Sequence, residues 1–231
     1  MNVYTTDKIR NVVLLGHGGA GKTSLVEAMA YLSGITNRMG KISDGNTISD
    51  YDKEEIKRHF SITTSLIPVP WQKNKVNILD TPGYFDFVGE VEEACHAAGA
   101  AVIVINGKSG VEVGTLKAWE LCEKYKLPRL FFVTGMDDDQ ASYRKIVLEL
   151  NDRFGRKVAP FHVPIRENEK FVGFVNVVKM KGRRFINDTS EYEECDIPDY
   201  MDKHLNISRD ALVEAVADTS EELMERYFAG E

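Results

Sequence analysis

Near the start of the chain, a run of residues has the types and spacing of a phosphate-binding loop. The run matches the pattern GxxxxGK[ST] in full: Gly16, His17, Gly18, Gly19, Ala20, Gly21, Lys22 and Thr23. Glycines let the backbone approach phosphate oxygens, and a helix that begins there adds partial positive charge. We expect Lys22 to bridge the β and γ phosphates, the Thr23 hydroxyl to bind Mg²⁺, and Ser24 to join the nucleotide-binding residues. The alternative is a glycine turn without a ligand.

Two later segments, each at the end of a buried strand, predict which nucleotide binds. The first is Asp80, Thr81, Pro82 and Gly83, where the acid can hold the Mg²⁺ shell and the glycine N–H can meet the γ phosphate. The second is Thr134, Gly135, Met136 and Asp137. The Asp137 carboxylate can accept from both the ring N–H and the amino group of guanine, which adenine does not offer. Alternatively, Asp137 to Asp139 cap the next helix.

These segments need a scaffold of alternating strands and helices. Short β-branched or aromatic runs predict buried strands at 11–15, 76–79, 100–105 and 129–134. Helical faces separate or follow them, as in Leu25, Met29 and Leu32. The order predicts an α/β fold with a mostly parallel sheet and helices on both faces, and together with the phosphate-binding motif it indicates a P-loop NTPase domain.

The pattern changes after about Gly155. Val158 to Arg166, Phe171 to Lys179 and Arg183 to Asn187 predict a small hairpin-rich lobe. Helices follow, one near Ser208 and one near Thr219, where Thr219 and Glu222 fit a capping box. We therefore assign residues 1–156 to a nucleotide-binding domain and 157–231 to a small inserted α+β subdomain.

Three polar segments are interpreted conservatively. Residues 37–61 lack a steady period and are predicted to be a long surface loop. Glu191 to Asp196 is predicted to be a solvated loop, and the basic residues between Lys179 and Arg184 a solvated turn, with RNA contact as the alternative. His17 is interpreted as structural rather than as a contact to a switch.

Composition excludes several classes of protein. The net charge is −7, which argues against binding free DNA. Residues 188–231 hold 14 acidic and 3 basic residues, net −11, so this end suits a basic partner. The longest apolar stretch is nine residues, far below the ~20 of a membrane span, and no secretory signal begins the chain. Cysteines at 95, 122 and 195 show no CxxC spacing, and a cytoplasmic location is expected.

From Ile9 almost to its end, the chain resembles the GTPase domain of elongation factor G, and in particular a divergent second type. GHGGAGKTS resembles the family's GHIDAGKTT, RHFSIT at 58–63 lies where the family has RGITIT, and DTPGYFDF at 80–87 where it has DTPGHVDF. The resemblance implies GTP or GDP and Mg²⁺ as cofactors, with Ser61 joining Thr23 and Asp80 as metal ligands. It implies catalytic roles for Lys22 and Tyr84.

The same resemblance implies partners and a larger protein. The expected partner is the ribosome, through its large-subunit factor-binding site and its stalk protein, and we expect a monomer. The chain is expected to be a fragment that lacks the final strand and helix of the GTP-binding domain and part of the inserted subdomain.

The chain departs from the family at four places. Gly19 replaces an Asp, Ser61 a Thr, Thr134-Gly135 an Asn-Lys pair, and Tyr84 the His that positions the attacking water. Base binding should weaken because the Lys stem and the Asn amide that braces the loop are lost. Two functions therefore stay open: a GTPase switch acting in translocation or ribosome release, and a hydrolysis-poor regulatory module that binds guanine nucleotide.

Overall fold

A computed structural model describes residues 3–168, 170–186 and 191–230. Within these ranges, no helix is long and apolar enough to cross a membrane. The chain packs as two compact units, Met1–Gly135 and Met136–Glu231. The predicted functional boundary between residues 156 and 157 stays a prediction.

The first unit is built on a five-stranded sheet with the order β2-β3-β1-β4-β5. Strand β1 runs parallel to β3 and β4, β4 runs parallel to β5, and β2 alone is antiparallel, to β3. The predicted α/β fold with a mostly parallel sheet is confirmed. The elements are β1 (Ile9–Leu15), α1 (Lys22–Leu32), α2 (Lys53–Arg58), β2 (Ser65–Trp71), β3 (Asn74–Asp80), α3 (Val88–Ala97), β4 (Ala100–Asn106), α4 (Val113–Lys124) and β5 (Arg129–Thr134).

Alternating strand residues give the sheet two apolar faces, and helices cover both. On one face Val13, Leu15 and Ile103 pack with residues of α3 and α4. On the other, Leu14 and Val104 pack with residues of α1. Because successive side chains of a strand point to opposite faces, a continuous apolar run such as that of β1 fills both cores.

The sequence analysis missed strand β2, which lies at one edge of the sheet. Its residues alternate between buried and exposed, with Pro68 and Pro70 on the exposed side. Proline has no N–H to donate to the hydrogen bonds between strands, so in sheets it is confined to edge strands. The two prolines therefore argued against a strand here, although β2 pairs on one side only.

The predicted surface loop over residues 37–61 is correct only in part, since much of the segment is irregular and exposed. This segment contains α2, and its polar residues Thr47, Ser49, Asp50 and Glu55 are buried. Hydrogen bonds between side chains and backbone hold this segment. Because apolar residues do not hold it, the sequence shows no hydrophobic periodicity there.

The second unit is an α+β arrangement on an antiparallel sheet with the order β6-β7-β8-β9. One face of that sheet packs Val163, Ile165 and Val175 against Met201 and Leu205. The elements are α5 (Tyr143–Phe154), β6 (His162–Glu167), β7 (Lys170–Asn176), β8 (Lys181–Phe185), β9 (Tyr192–Cys195), α6 (Asp202–Ala217) and α7 (Glu221–Ala229).

Three local expectations for this unit need comment. Within the predicted loop at 191–196, Tyr192–Cys195 form strand β9, which pairs with the basic strand β8. Helix α7 is capped by Ser220, whose hydroxyl accepts from the Leu223 N–H, and not by Thr219. Asn187, the predicted end of the third strand, lies outside the described residues.

Candidate nucleotide site

The phosphate-binding loop connects β1 to α1 and takes the conformation that its glycines allow. Gly16, Gly19 and Gly21 have positive φ angles of +144°, +81° and +93°. A Cβ on Gly16 would lie 2.4 Å from the Val104 carbonyl oxygen, so the first glycine is required by close packing against β4. Open space surrounds Gly19, and its φ is one that L side chains rarely adopt. Residues 16–21 therefore form the loop, Lys22 and Thr23 begin α1, and Ser24 is exposed on its first turn.

Lys22 lies beneath this loop and is 6 % exposed. Its Nζ donates to the carbonyl oxygens of Gly16, at 3.1 Å, and His17, at 3.0 Å. A third ammonium proton remains for a ligand oxygen. Burial lowers the pKa of Lys22 to about 8, against the opposing effects of Asp80 and Asp50.

Gly83 brings the turn after β3 against the loop. A Cβ on Gly83 would lie 2.6 Å from Lys22 Nζ and 2.7 Å from Gly18 Cα. The neighbouring Thr81 is buried, and its hydroxyl donates to the Leu14 carbonyl oxygen at 2.6 Å. Pro82 lies between them and is also buried. The segment from Asp80 to Gly83 is therefore fixed against the loop.

Four oxygen-bearing side chains meet beside Lys22. Thr23 Oγ1 donates to Asp80 Oδ2 at 2.9 Å and lies 3.3 Å from Ser61 Oγ. Ser61 Oγ in turn donates to Asp50 Oδ1 at 2.7 Å. These are the hydroxyl and carboxylate oxygens that Mg²⁺ prefers.

The cluster has unsatisfied buried acceptors. Asp80 Oδ1 and Asp50 Oδ2 are buried and have no partner in the described chain that meets hydrogen-bond geometry, although the Ser49 hydroxyl lies near enough to Asp80 to oppose the rise of its pKa. Burial raises the pKa of Asp80 to about 6, opposed by the Thr23 hydroxyl, and it also raises the pKa of Asp50. Unpaired buried carboxylate oxygens are costly, and a divalent cation would satisfy them. The residues present therefore fit a Mg²⁺ ion.

The sequence analysis missed Asp50 as a member of this cluster. Asp44, Asp50 and Asp52 all lie in a polar segment without periodicity, and nothing in the sequence distinguishes the middle one. Its role follows from the bond to Ser61, eleven residues later.

Glu27 is a second residue that the sequence analysis missed. It lies on the buried face of α1 and is 2 % exposed. Its carboxylate accepts from the Gly40 N–H at 2.7 Å and from the Ile48 N–H at 2.5 Å. These bonds hold the segment before Asp50 against α1.

Tyr84 follows Gly83 and lies over the loop. Its ring would be 3.3 Å from a Cβ on Gly18, so the missing side chain of Gly18 makes room for it. The ring also packs on Phe60 with 4.7 Å between centroids, and Phe60 contacts Phe87 at 6.4 Å. The side chain is 47 % exposed. Tyr84 thus bridges the loop and the residue before Ser61.

Thr134 ends β5 and supports the loop from below. Its Oγ1 lies 2.6 Å from the Ala20 carbonyl oxygen and 3.3 Å from that of Ile105. Its side chain also packs on Gly21, where a Cβ would lie 3.1 Å from the hydroxyl oxygen. The loss of an Asn at this position was expected to remove a hydrogen bond that braces the phosphate-binding loop. The Thr134 hydroxyl supplies such a bond instead. Gly135 follows with a φ of +61°.

Met136 and Asp137 begin the second unit, in the turn after β5. Met136 is buried and Asp137 is exposed. Arg166 holds this turn, because its guanidinium donates to three backbone carbonyls, of Met136 at 2.9 Å, Asp138 at 3.1 Å and Ala141 at 2.7 Å. Asp137 is thus presented by a braced turn. Arg166 lies on β6, far along the chain, and no sequence signal marked it.

His17 contacts residues of two other segments, one at the start of α4 and one just after Tyr84, and its structural interpretation stays a prediction. Its Nε2 lies 3.6 Å from Glu112 Oε1, and its ring meets Phe85 edge-on at 6.0 Å between centroids. A Cβ on Gly114 would come within 2.8 Å of the His17 side chain. Close packing therefore holds the residue.

The fold and this site define a class of protein, the P-loop nucleotide-binding proteins, with the loop between a first parallel strand and a helix. The family model of the elongation factor Tu GTP binding domain matches residues 7–225, and the chain belongs to this family of GTPase domains. It is also similar to a solved structure from Thermus thermophilus, with 36 % identity and a TM-score of 0.90. That match covers 97 % of this chain and 33 % of the other, so this chain spans about a third of its relative's length.

Proposed function

We propose that the chain is the guanine-nucleotide switch domain of a translational GTPase similar to elongation factor G, acting on the ribosome. Membership of a GTP-binding elongation-factor family supports the nucleotide and the broad process. The observation that carries the proposal is the convergence of Lys22, Thr23, Ser61 and Asp80, which come from three separate segments. A loop that binds phosphate and a segment that can respond to it thus share one cation site.

Each part of the site has a role in this proposal. The loop N–H groups and the Lys22 ammonium hold the β and γ phosphates, whose negative charge favours the protonated amine. Thr23, Ser61 and Asp80 hold Mg²⁺, which when bound neutralises charge on the phosphates. The Gly83 N–H is the backbone donor that we assign to the γ phosphate.

Guanine selection is assigned to the segment from Thr134 to Asp137. Asp137 accepts from the ring N–H and amino group of guanine, while Gly135 offers no side chain to stack on the base. We therefore expect preference for guanine with weak affinity. Losing one such partner typically costs ~1–3 kcal/mol, or roughly 5- to 150-fold in affinity.

Titrating the chain with GDP, ATP and xanthosine diphosphate tests this assignment. GDP should bind most tightly. Asp137→Asn should shift the preference towards xanthosine diphosphate, because an amide can donate to the extra carbonyl of xanthine. The neighbouring Asp138→Asn is the matched control and should keep the GDP preference. Equal binding of ATP and GDP by the unaltered chain would refute the guanine assignment.

Tyr84 is assigned as the residue that positions the attacking water or gates access to it. Its phenol can donate or accept one hydrogen bond but lacks the charge change of His near neutral pH. Positioning and charge stabilisation dominate this chemistry, so slow hydrolysis that ribosomes stimulate remains compatible with a tyrosine. Its contacts with Gly18 and Phe60 support this role.

The alternative, a module that binds guanine nucleotide and hydrolyses little, is favoured by the same replacement of His. Comparing the parent sequence with Tyr84→Phe and Tyr84→His in the intact protein, with ribosomes present, separates the two functions. Slower turnover in Tyr84→Phe supports a role for the hydroxyl. If ribosomes stimulate neither the parent nor Tyr84→Phe, the regulatory module is the better description.

The acidic end is assigned to a basic protein partner, the ribosomal stalk. Glu221 and Glu222 lie in the first turn of α7, and Phe228 is 79 % exposed near its end. A negative surface speeds encounter with a basic partner and loses that effect in salt. Charge reversal at Glu221, Glu222 and Glu225 should weaken stalk-protein binding at low salt, and unchanged binding contradicts the assignment.

We further assign residues 1–156 to nucleotide binding and residues 157–231 to the inserted subdomain, and we propose that the protein is a monomer.

A further inference from the structure

Glu55 is a fully buried carboxylate that the roles above do not use. It lies on α2 and is 1 % exposed. Its Oε1 accepts from the Ile62 N–H at 2.9 Å, the Thr63 N–H at 3.0 Å and the Thr63 hydroxyl at 3.2 Å. Its Oε2 accepts from the Asp52 N–H at 3.2 Å. Within the described ranges no Lys, Arg or His forms an ion pair with it.

These bonds fix the backbone that immediately follows Ser61. A buried carboxylate without a cation is tolerated only when donors satisfy it, so the donors and the carboxylate must stay together. Ile62 and Thr63 supply three of the four donors. Displacement of this backbone would leave Glu55 unsatisfied inside the protein, and the same displacement would carry Ser61 away from Thr23 and Asp50.

We propose that Glu55 is a positioning residue for the cation site, because it sets the place of the Ser61 hydroxyl through the Ile62 and Thr63 backbone. The inference rests on the proposed function, in which Ser61 is a Mg²⁺ ligand. The hydrogen bonds that the structure gives Glu55 go to Asp52, Ile62 and Thr63, and none goes to Thr23, Ser61 or Asp80. Burial raises the pKa of Asp50, and the charge of Glu55 adds to that effect, so Glu55 acts on the cluster through its charge as well as through the chain segment that it holds.

Glu55 also takes part in the N-terminal cap of α2, and the two roles can be separated. Asp52 Oδ1 accepts from the Glu54 N–H at 2.7 Å and caps the same helix without bonding Ile62 or Thr63. Asp52→Ala therefore weakens the cap and leaves the tie to Ser61 in place. Glu55→Gln keeps an Oε1 acceptor for Ile62 and Thr63, whereas Glu55→Ala removes it.

The first test needs neither nucleotide nor metal. Amide hydrogen exchange at Ile62 and Thr63 is measured in the full chain and in the three variants. Glu55→Ala should speed exchange at both amides by roughly 5- to 150-fold, the loss expected for an unpaired buried group. Glu55→Gln should restore most of the protection, and Asp52→Ala should leave it unchanged. Equal exchange in the parent and Glu55→Ala overturns the inference.

The second test uses Mg²⁺ and a non-hydrolysable GTP analogue, because the γ phosphate is what orders a switch segment at such a site. The Mg²⁺ concentration that half-maximally retains the bound analogue is measured for the parent, Glu55→Ala, Ser61→Ala and the double variant. Each single change should raise this concentration, on the order of tenfold, and the double variant should match Ser61→Ala, because both changes remove one interaction. Additive effects overturn the inference. Binding of the analogue with parent-like Mg²⁺ dependence in Glu55→Ala refutes the inference alone, whereas failure of the parent to bind the analogue refutes the proposed function with it.

Discussion

At the phosphate-binding loop, the side chains of Lys22 and Thr134 form hydrogen bonds to backbone carbonyl oxygens. Lys22 bonds the Gly16 and His17 carbonyls, and Thr134 bonds that of Ala20. A loop built from glycines has few side chains to pack, so its shape depends on such bonds. The 2.6 Å bond from Thr134 reaches the loop from strand β5.

Replacing Thr134 by Val removes this hydroxyl while keeping the shape of the side chain. The Ala20 carbonyl oxygen then loses its partner, and we expect a loss of ~1–3 kcal/mol in unfolding free energy, with faster release of bound GDP. Urea unfolding and nucleotide dissociation measure the two effects. Thr134→Ser keeps the hydroxyl and serves as the control. Parent-like stability in Thr134→Val would show that the bond contributes nothing.

In the second unit, opposite charges favour the pairing of β8 with β9, and a capping residue sets the start of α7. Strand β8 is basic and β9 is acidic, and the register sets Arg183 opposite Glu194, whose carboxylate bonds Lys181 Nζ at 2.7 Å. Opposite charges on neighbouring strands favour this pairing over a loop. A similar local detail fixes where α7 begins, at a Ser220 cap.

Ser220→Ala should destabilise the end of the chain. The Leu223 N–H loses its acceptor, which typically costs about 0.5–2 kcal/mol at a helix start. Thr219→Ala should cost less, because its exposed hydroxyl only bonds the Val216 carbonyl oxygen at the end of α6. Thermal unfolding of both variants compares them. A larger loss for Thr219→Ala would support the capping box expected from the sequence and contradict the structure.

The packing of the whole molecule decides the chemistry of its cysteines. Cys95 and Cys122 lie in the core between the sheet and α3 and α4, at 1 % and 0 % exposed. Burial raises their thiol pKa values to about 12 and about 11. Cys195 on β9 is only half-buried.

The native protein at pH 8 should therefore show one reactive thiol towards a disulfide reagent and three after unfolding in guanidinium. Thiolate is the reacting form, and a raised pKa together with burial suppresses it at two of the sites. Cys195→Ser should remove the fast reaction. Rapid modification of Cys95 or Cys122 in the native chain would show that this core opens readily.

Local sequence determined much of the fold and the chemistry. The phosphate-binding loop, four strands of the first sheet and the segments at their carboxyl ends were predictable, because glycine conformation and hydrophobic runs act over a few residues. Strand β2 could not be predicted, because its prolines argue against a strand unless that strand lies at the edge of the sheet.

Tertiary structure decided which polar residues matter around the site. Asp50, Glu55, Glu27 and Arg166 carry no periodicity or motif, and each acts through bonds to groups distant in the chain or across a loop. A polar side chain is buried only where folding supplies its partners, and those partners are unknown until the chain has closed around them. The sequence by itself therefore determined the kind of site and the site residues that follow the strands. Only the fold determined how the segment that carries Ser61 is held beside those residues.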